Sequence, residues 1–207
     1  MENNKELVNY LINKGVLITD SIIDAFKNID RKDFVLQESL LFAYANAPLS
    51  IGYNQTISQP YTVAFMLELL GVKEGENVLD VGSGSGWTTT LLAYMVGEEG
   101  TVLGLELINE LVDFGAKNLL KYNMPWAEII TSNEDFNFID SEYEKILVSA
   151  ASSGKIPRLL LEKLKIMGVM VIPVNDYIYK ITKISENKID IEKFHGFRFV
   201  PLIYNEI

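Results

Sequence analysis

The chain has 207 residues, 48% of them hydrophobic and 22% charged, which is enough apolar material for a sizeable core and excludes disordered and fibrous classes. Asp and Glu number 28 against 18 Lys and Arg, and the resulting net charge of −10 argues against nucleic-acid partners, whose phosphates it would repel. With no cysteine and only His195, disulfides, zinc–thiolate sites, cysteine nucleophiles and multi-histidine metal sites are excluded.

The length suits one α/β domain with an appendage. The start, Met1-Glu-Asn-Asn-Lys-Glu6, is polar and acidic, unlike a signal peptide. No apolar run reaches the ~20 residues that cross a bilayer. The expectation is a soluble cytoplasmic protein with no membrane partner.

Over residues 4–14, Leu7, Val8, Leu11 and Ile12 form one helical stripe, with Gly15 as its stop. Thr19 is a candidate cap for a second helix carrying Ile22, Ile23, Phe26 and Ile29. Residues 44–58 follow neither the helical nor the strand period, and an irregular segment of that length is a functional candidate. Pro60 suits the first turn of a helix running to about Leu70. From Asn77 strands and helices alternate: strand at 78–81, helix at 87–96, strand at 101–106, helix at 108–122, then strands at 127–131, 144–149 and 167–174. Such alternation predicts a parallel sheet covered on both faces. Residues 177–184 and 188–199, joined by the turn Ser185-Glu-Asn-Lys188, predict an antiparallel hairpin.

The chemistry-bearing motif is Asp80-Val-Gly82-Ser-Gly84-Ser-Gly86, at the C-terminal end of the first parallel strand, where open α/β sheets bind ligands. Glu106, twenty residues after Gly86, ends the next strand, where an acid can accept the ribose hydroxyls of an adenosine group. The glycines run G-x-G-x-G with Trp87 following, whereas a dinucleotide fingerprint requires G-x-G-x-x-G aimed at a pyrophosphate. Together with Asp80 this spacing suits S-adenosylmethionine, a cation without phosphates, better than NAD.

At these residues the sequence resembles the protein-L-isoaspartate O-methyltransferase family, over nearly its whole length. The run Pro48-Leu-Ser-Ile-Gly-Tyr-Asn-Gln55-Thr56-Ile57-Ser58-Gln-Pro60 is similar to the family's substrate loop. Arg31-Lys-Asp-Phe-Val35, Lys155-Ile-Pro157 and Phe199-Val200-Pro-Leu202 resemble further landmarks. The resemblance implies a doubly wound, mainly parallel seven-stranded sheet of the S-adenosylmethionine-dependent methyltransferase type, with an N-terminal helical appendage. It makes residues 1–207 one methyltransferase domain: helices and substrate loop in 1–70, cofactor sheet and C-terminal strands in 71–207.

The implied activity is methyl esterification of the free carboxyl of L-isoaspartyl residues in damaged proteins or peptides, with S-adenosyl-L-homocysteine as product and no metal. Ser58 is then the catalytic residue. Ile57, Ser58, Asp80, Gly82, Gly84, Gly86, Glu106 and Asn133 bind the cofactor, and Gln55, Thr56, Tyr61 and Val200 the substrate. A carboxylate has a pKa near ~4, so it is already ionised at neutral pH and needs no general base, which a chain with one histidine can accommodate. No Asn/Asp-Pro-Pro-Tyr/Phe motif of amine methylation follows the fourth strand, where Lys145-Ile-Leu-Val-Ser-Ala-Ala151 stands. Tyr61 stands for the family's usual His, Asn46 for Asp, Asn54 for Gly, Leu36 for Pro and Asn133 for Asp. Those at Tyr61 and Asn46 are expected to slow turnover rather than weaken cofactor binding.

Other readings attach to the same residues. Ser58 can cap the helix at Pro60. His195 reads as structural in an edge strand, and Trp87, Leu91, Leu92 and Met95 as core. Glu134, Asp135, Asp140, Glu142 and Glu144 read as a solvated acidic loop, matching no calcium-loop spacing. The competing functions are a divergent O-methyltransferase acting on another carboxylate or hydroxyl, a catalytically weakened cofactor-binding interaction protein, and, more distantly, an NAD-dependent oxidoreductase.

Overall fold

Asn3 opens the first helix, α1 (Asn4–Asn13), its side-chain oxygen accepting the Glu6 N–H at 3.0 Å. Leu7, Val8 and Leu11 bury one face of α1, and Ile22, Ala25 and Phe26 that of α2 (Asp20–Asn28). Thr19 makes no side-chain cap. Its hydroxyl donates instead to Glu68, whose carboxylate also accepts the Ile18 and Thr19 N–H groups. Glu68 belongs to α3 (Pro60–Leu70), so a tertiary contact fixes the start of α2. The computed structural model describes residues 1–133 and 141–205.

The segment from Tyr44 to Ser58 is not wholly irregular. It contains a short antiparallel hairpin, β1 (Leu49–Gly52) and β2 (Gln55–Ile57), pairing Leu49 with Ile57 and Ser50 with Thr56. Tyr53 and Asn54 at its tip both take positive φ, 53° and 59°, as a tight two-residue hairpin turn requires. Strands of four and three residues are too short to display a period.

Arg31 lies in a 3₁₀ turn (Arg31–Phe34) and is fully buried. Its guanidinium donates to the carbonyls of Ala43 (2.7 Å), Ala45 (3.3 Å), Ala47 (3.0 Å) and Ser58 (3.1 Å), and lies 5.3 Å from the Trp87 ring. Both ends of the hairpin segment are therefore tied to one side chain.

The main sheet has the order β5-β4-β3-β6-β7-β8-β9, formed by β3 (Asn77–Val81), β4 (Thr101–Glu106), β5 (Ala127–Thr131), β6 (Tyr143–Val148), β7 (Leu164–Val174), β8 (Tyr177–Ser185) and β9 (Lys188–His195). Strands β3 to β7 pair in parallel, and β8 and β9 follow as an antiparallel pair. The order reverses at β3, because β4 and β5 build outward on one side and β6 to β9 on the other. That switch point is where such sheets open a ligand crevice.

Alternation along the strands separates two cores. Val78, Val102, Leu147, Val171 and Ile178 join Trp87 and the N-terminal helices. Leu79, Val81, Leu105, Ile146 and Ile172 join Leu160 of the short helix α6 (Arg158–Glu162). Helices α4 (Trp87–Val96) and α5 (Asn109–Leu119) complete the fold, α5 running into a 3₁₀ turn at Leu120–Tyr122.

The structure departs from the expected elements toward the C-terminus. Helix α6 was not expected. Strand β7 begins at Leu164, with Met167 at φ 66° where its pairing to β6 slips, and β9 stops at His195 rather than 199. Glu144 lies in β6 rather than a solvated loop, pairing with Lys165 and accepting the Asn77 N–H. Glu134, Asp135 and Asp140 lie outside the described residues.

Gly86 is fixed by packing. At φ 83° it opens α4, and a Cβ there would stand 2.7 Å from the Gly115 carbonyl oxygen of α5. Gly86→Ala should destabilise the fold by about 3 kcal/mol, combining left-handed strain with backbone displacement. Urea unfolding measures this, and a loss below about 0.5 kcal/mol would contradict the packing account.

Candidate active site

The glycine turn after β3 is held by its neighbour strand: Gly82 N–H and Ser83 N–H both donate to the Leu105 carbonyl, at 2.8 and 3.0 Å. Gly82 and Gly84 take φ of 79° and 52°, conformations glycine adopts without strain. Glu106 ends β4 beside them, 8% exposed. One carboxylate oxygen accepts the Gly84 N–H at 2.9 Å, and the other accepts Leu107 N–H at 2.8 Å and Ile108 N–H at 3.1 Å. Three backbone donors thus orient one carboxylate.

Around this turn lies a cleft of about 980 Å³ including its open mouth. Ile57, Ser58, Gly82, Gly84, Glu106, Asn133, Gln55, Thr56 and Val200 all line it. Asp80, Gly86 and Tyr61 do not.

Asp80 lies behind the cleft wall, wholly buried, accepting the Thr88 and Thr89 hydroxyls at 2.7 Å each through one oxygen. The expectation that Asp80 binds the cofactor directly is corrected here, since its side chain does not line the cleft. Asp80 shares its strand face with Val78, which turns it toward α4. Burial pushes its pKa up to about 6 against the pull of the two hydroxyls, and the nearby Glu106 charge adds to the rise. Gly86 serves the α4–α5 contact described above.

Tyr61 lines a second cavity with Pro48, Gln59, His195, Arg198 and Phe199. Thr56, Ser58, Ser149 and Val200 line both cavities and form the wall between them. Ser58 does not cap α3, and its hydroxyl has no hydrogen-bond partner among the described residues. The helix start is satisfied instead by Asn46, whose side-chain oxygen accepts the Tyr61 N–H at 3.0 Å and whose carbonyl accepts from Gln59 at 3.1 Å. Asn46 therefore orders the loop through its own amide and carbonyl. The His195 ring lies 4.9 Å from that of Tyr177, tilted at 60°, and also faces the second cavity, beyond the purely structural place expected for it.

Sequence reasoning missed Ser149 and Ala150, which follow β6 directly. They stand at the same carboxyl edge of the sheet as the glycine turn and Glu106, and the crevice rule applied to β6 finds them.

Ser83 and Trp87 line the cleft while Ser83 Oγ and Trp87 Nε1 are buried without a partner among the described residues, the pattern of a site finished by a ligand. Among the described residues, no group of three acidic or histidine side chains could hold a metal ion, and no helix is long and apolar enough to cross a membrane.

Sheet order, glycine turn and strand-end acid define the class, the S-adenosylmethionine-dependent methyltransferase fold. A crystal structure from Plasmodium falciparum, described as a beta-aspartate methyltransferase in complex with S-adenosyl-L-homocysteine, superposes with a TM-score of 0.86 at 27% identity, covering 99% of this chain and 100% of that one. The model of the family described as Protein-L-isoaspartate(D-aspartate) O-methyltransferase (PCMT) matches residues 2–207, and the chain belongs to that family. The protein-L-isoaspartate O-methyltransferase of Dictyoglomus turgidum is 42% identical over 207 residues, 96% of this chain and 90% of that protein. That of Ignicoccus hospitalis is 36% identical over 211 residues, 99% of each.

The raised pKa of Asp80 has a sign. Its folded value of about 6 exceeds the ordinary 3.8, so the folded state binds the proton more readily than the unfolded chain. Its contribution favours folding most below pH 4 and is lost as pH rises to about 6. Asp80→Asn removes that titration. Between pH 4 and 6.5 the wild type should lose stability with rising pH relative to the variant, as urea midpoints across that range will read. Parallel profiles would contradict the assignment.

Proposed function

We infer that this chain transfers a methyl group from S-adenosylmethionine to the free carboxylate of L-isoaspartyl residues in damaged proteins and peptides. The observation that carries this reading is the wall of Thr56, Ser58, Ser149 and Val200 shared by the two cavities, because methyl transfer needs donor and acceptor sites meeting at one boundary. Membership in the family supports the substrate class, and the Plasmodium falciparum complex supports the cofactor.

The residues fit that cofactor. Glu106 presents an oriented carboxylate to ribose hydroxyls, while Gly82 and Gly84 let the backbone approach the methionine portion. Ile57 and Ser58 border the methyl end, and Asn133 stands beside the adenine. Asp80 and Gly86 act from behind, stiffening the turn and its packing. When bound, the cofactor supplies an electrophilic sulfonium methyl.

On the other side the Ser58 hydroxyl donates to the substrate carboxylate, Gln55 and Thr56 hold the peptide, and Tyr61 and Val200 shape its pocket. The carboxylate arrives ionised, so the chain has no proton to remove at the reacting atom. What remains is alignment and exclusion of water, which the hairpin and the Phe199-to-Leu202 segment provide.

An isoaspartyl peptide should become a base-labile methyl ester while its aspartyl twin should not, since the two differ only by one methylene moved between backbone and side chain. Ser58→Ala should lower turnover roughly tenfold through the lost hydrogen bond, with cofactor affinity held within twofold. Radiolabelled methyl transfer and calorimetry measure the two effects. Equal labelling of both peptides would reject the isoaspartyl reading.

A further inference from the structure

The second cavity carries a charge that the reaction does not use. Arg198 lines it, is exposed, and forms no ion pair or hydrogen bond among the described residues. The other charged wall residue, Asp176, does not pair with it, so the guanidinium is not neutralised. The backbone beside Arg198 is nevertheless anchored: Gly196 and Phe197 N–H both donate to the Asp176 carbonyl, at 3.0 and 3.3 Å. The groove thus presents a cation from a tethered segment.

Its position relative to the shared wall decides what it can meet. Val200 lines both cavities, whereas Arg198, two residues earlier, lines only the second. Two positions along an extended chain span about 7 Å, roughly two residues of a bound extended peptide. Pairing the reacting carboxylate with a guanidinium would also withdraw the electron density it must donate to the methyl carbon. The charge therefore suits a side chain two residues from the isoaspartyl residue, not the isoaspartyl carboxyl itself. The chain as a whole carries −10 and repels acidic peptides at long range, so a local, unneutralised cation is what admits them to this groove.

We propose that Arg198 is a specificity-determining residue that selects peptides bearing an acidic side chain two residues from the isoaspartyl residue. The inference rests on the reading that the second cavity takes the peptide. The probes are fluorescein-labelled isoaspartyl peptides differing only in Glu, Gln or Lys, placed two residues after the isoaspartyl residue in one set and two residues before it in another. Anisotropy with S-adenosylhomocysteine present gives affinity without turnover, and methyl-ester formation gives kcat and KM.

In one set Glu should bind roughly fivefold more tightly than Lys, the upper range for an exposed ion pair. The preference should appear in KM and leave kcat within twofold. Arg198→Ala should abolish it and Arg198→Glu should invert it, both with unchanged cofactor affinity. Indifference to charge in both sets, or a preference that survives Arg198→Ala, overturns the proposal even if methyl esters form. A charge preference in binding without any methyl ester supports it and rejects the proposed reaction instead. Absence of both peptide binding and ester overturns both.

Discussion

The buried guanidinium of Arg31 is the constraint on which the two cavities depend. A charge sealed from water is costly unless it is hydrogen-bonded, and four carbonyls from Ala43, Ala45, Ala47 and Ser58 converge on its two terminal nitrogens, while Nε has no partner among the described residues. Burial lowers its pKa to about 9, still above neutral pH, so the cation persists. Because the Ser58 carbonyl is held on the Arg31 side, the peptide plane there is fixed and the Ser58 side chain remains at the wall between the cavities. The same guanidinium lies against Trp87, the first residue of α4 and the next after the glycine turn. One side chain thereby sets the substrate hairpin against the cofactor turn.

That mechanical coupling matters because the chemistry asks little else. An ionised carboxylate attacking a sulfonium methyl needs its approach line held, and a displacement of about 1 Å can cost roughly a hundredfold in rate. The polar groups near the turn are spent on rigidity. Glu106 is gripped by three N–H groups, and Asp80 by two hydroxyls. Gly104 on β4 leaves the space that Thr89 and Ser83 occupy, since a Cβ there would sit 3.0 and 3.3 Å from them.

The sheet was legible because Val78–Val81, Thr101–Glu106 and their partners are runs long enough to carry a pattern, punctuated by glycines whose turns need positive φ. The hairpin at Leu49–Ile57 was not, its strands being too short to show alternation. Asp80 stands two residues before Gly82 yet lies behind the cleft wall. Alternation along β3 sets it with Val78 and against Leu79 and Val81, which turns it to the α4 face, and that much could have been read from the sequence. Arg31 was visible only as a landmark. Nothing local marks an arginine as buried when its partners are carbonyls twelve to twenty-seven residues away.

The most direct test of the coupling is the single-turnover rate of methyl transfer to an isoaspartyl peptide in Arg31→Lys, with cofactor and peptide both saturating and the variant folded. A lysine keeps the charge but cannot reach four carbonyls with a planar fork. A rate lowered by about a hundredfold is the predicted result, in keeping with a wall displaced by ~1 Å. A rate within twofold of wild type would show that the hairpin and the cofactor turn are aligned without Arg31, and would contradict the account.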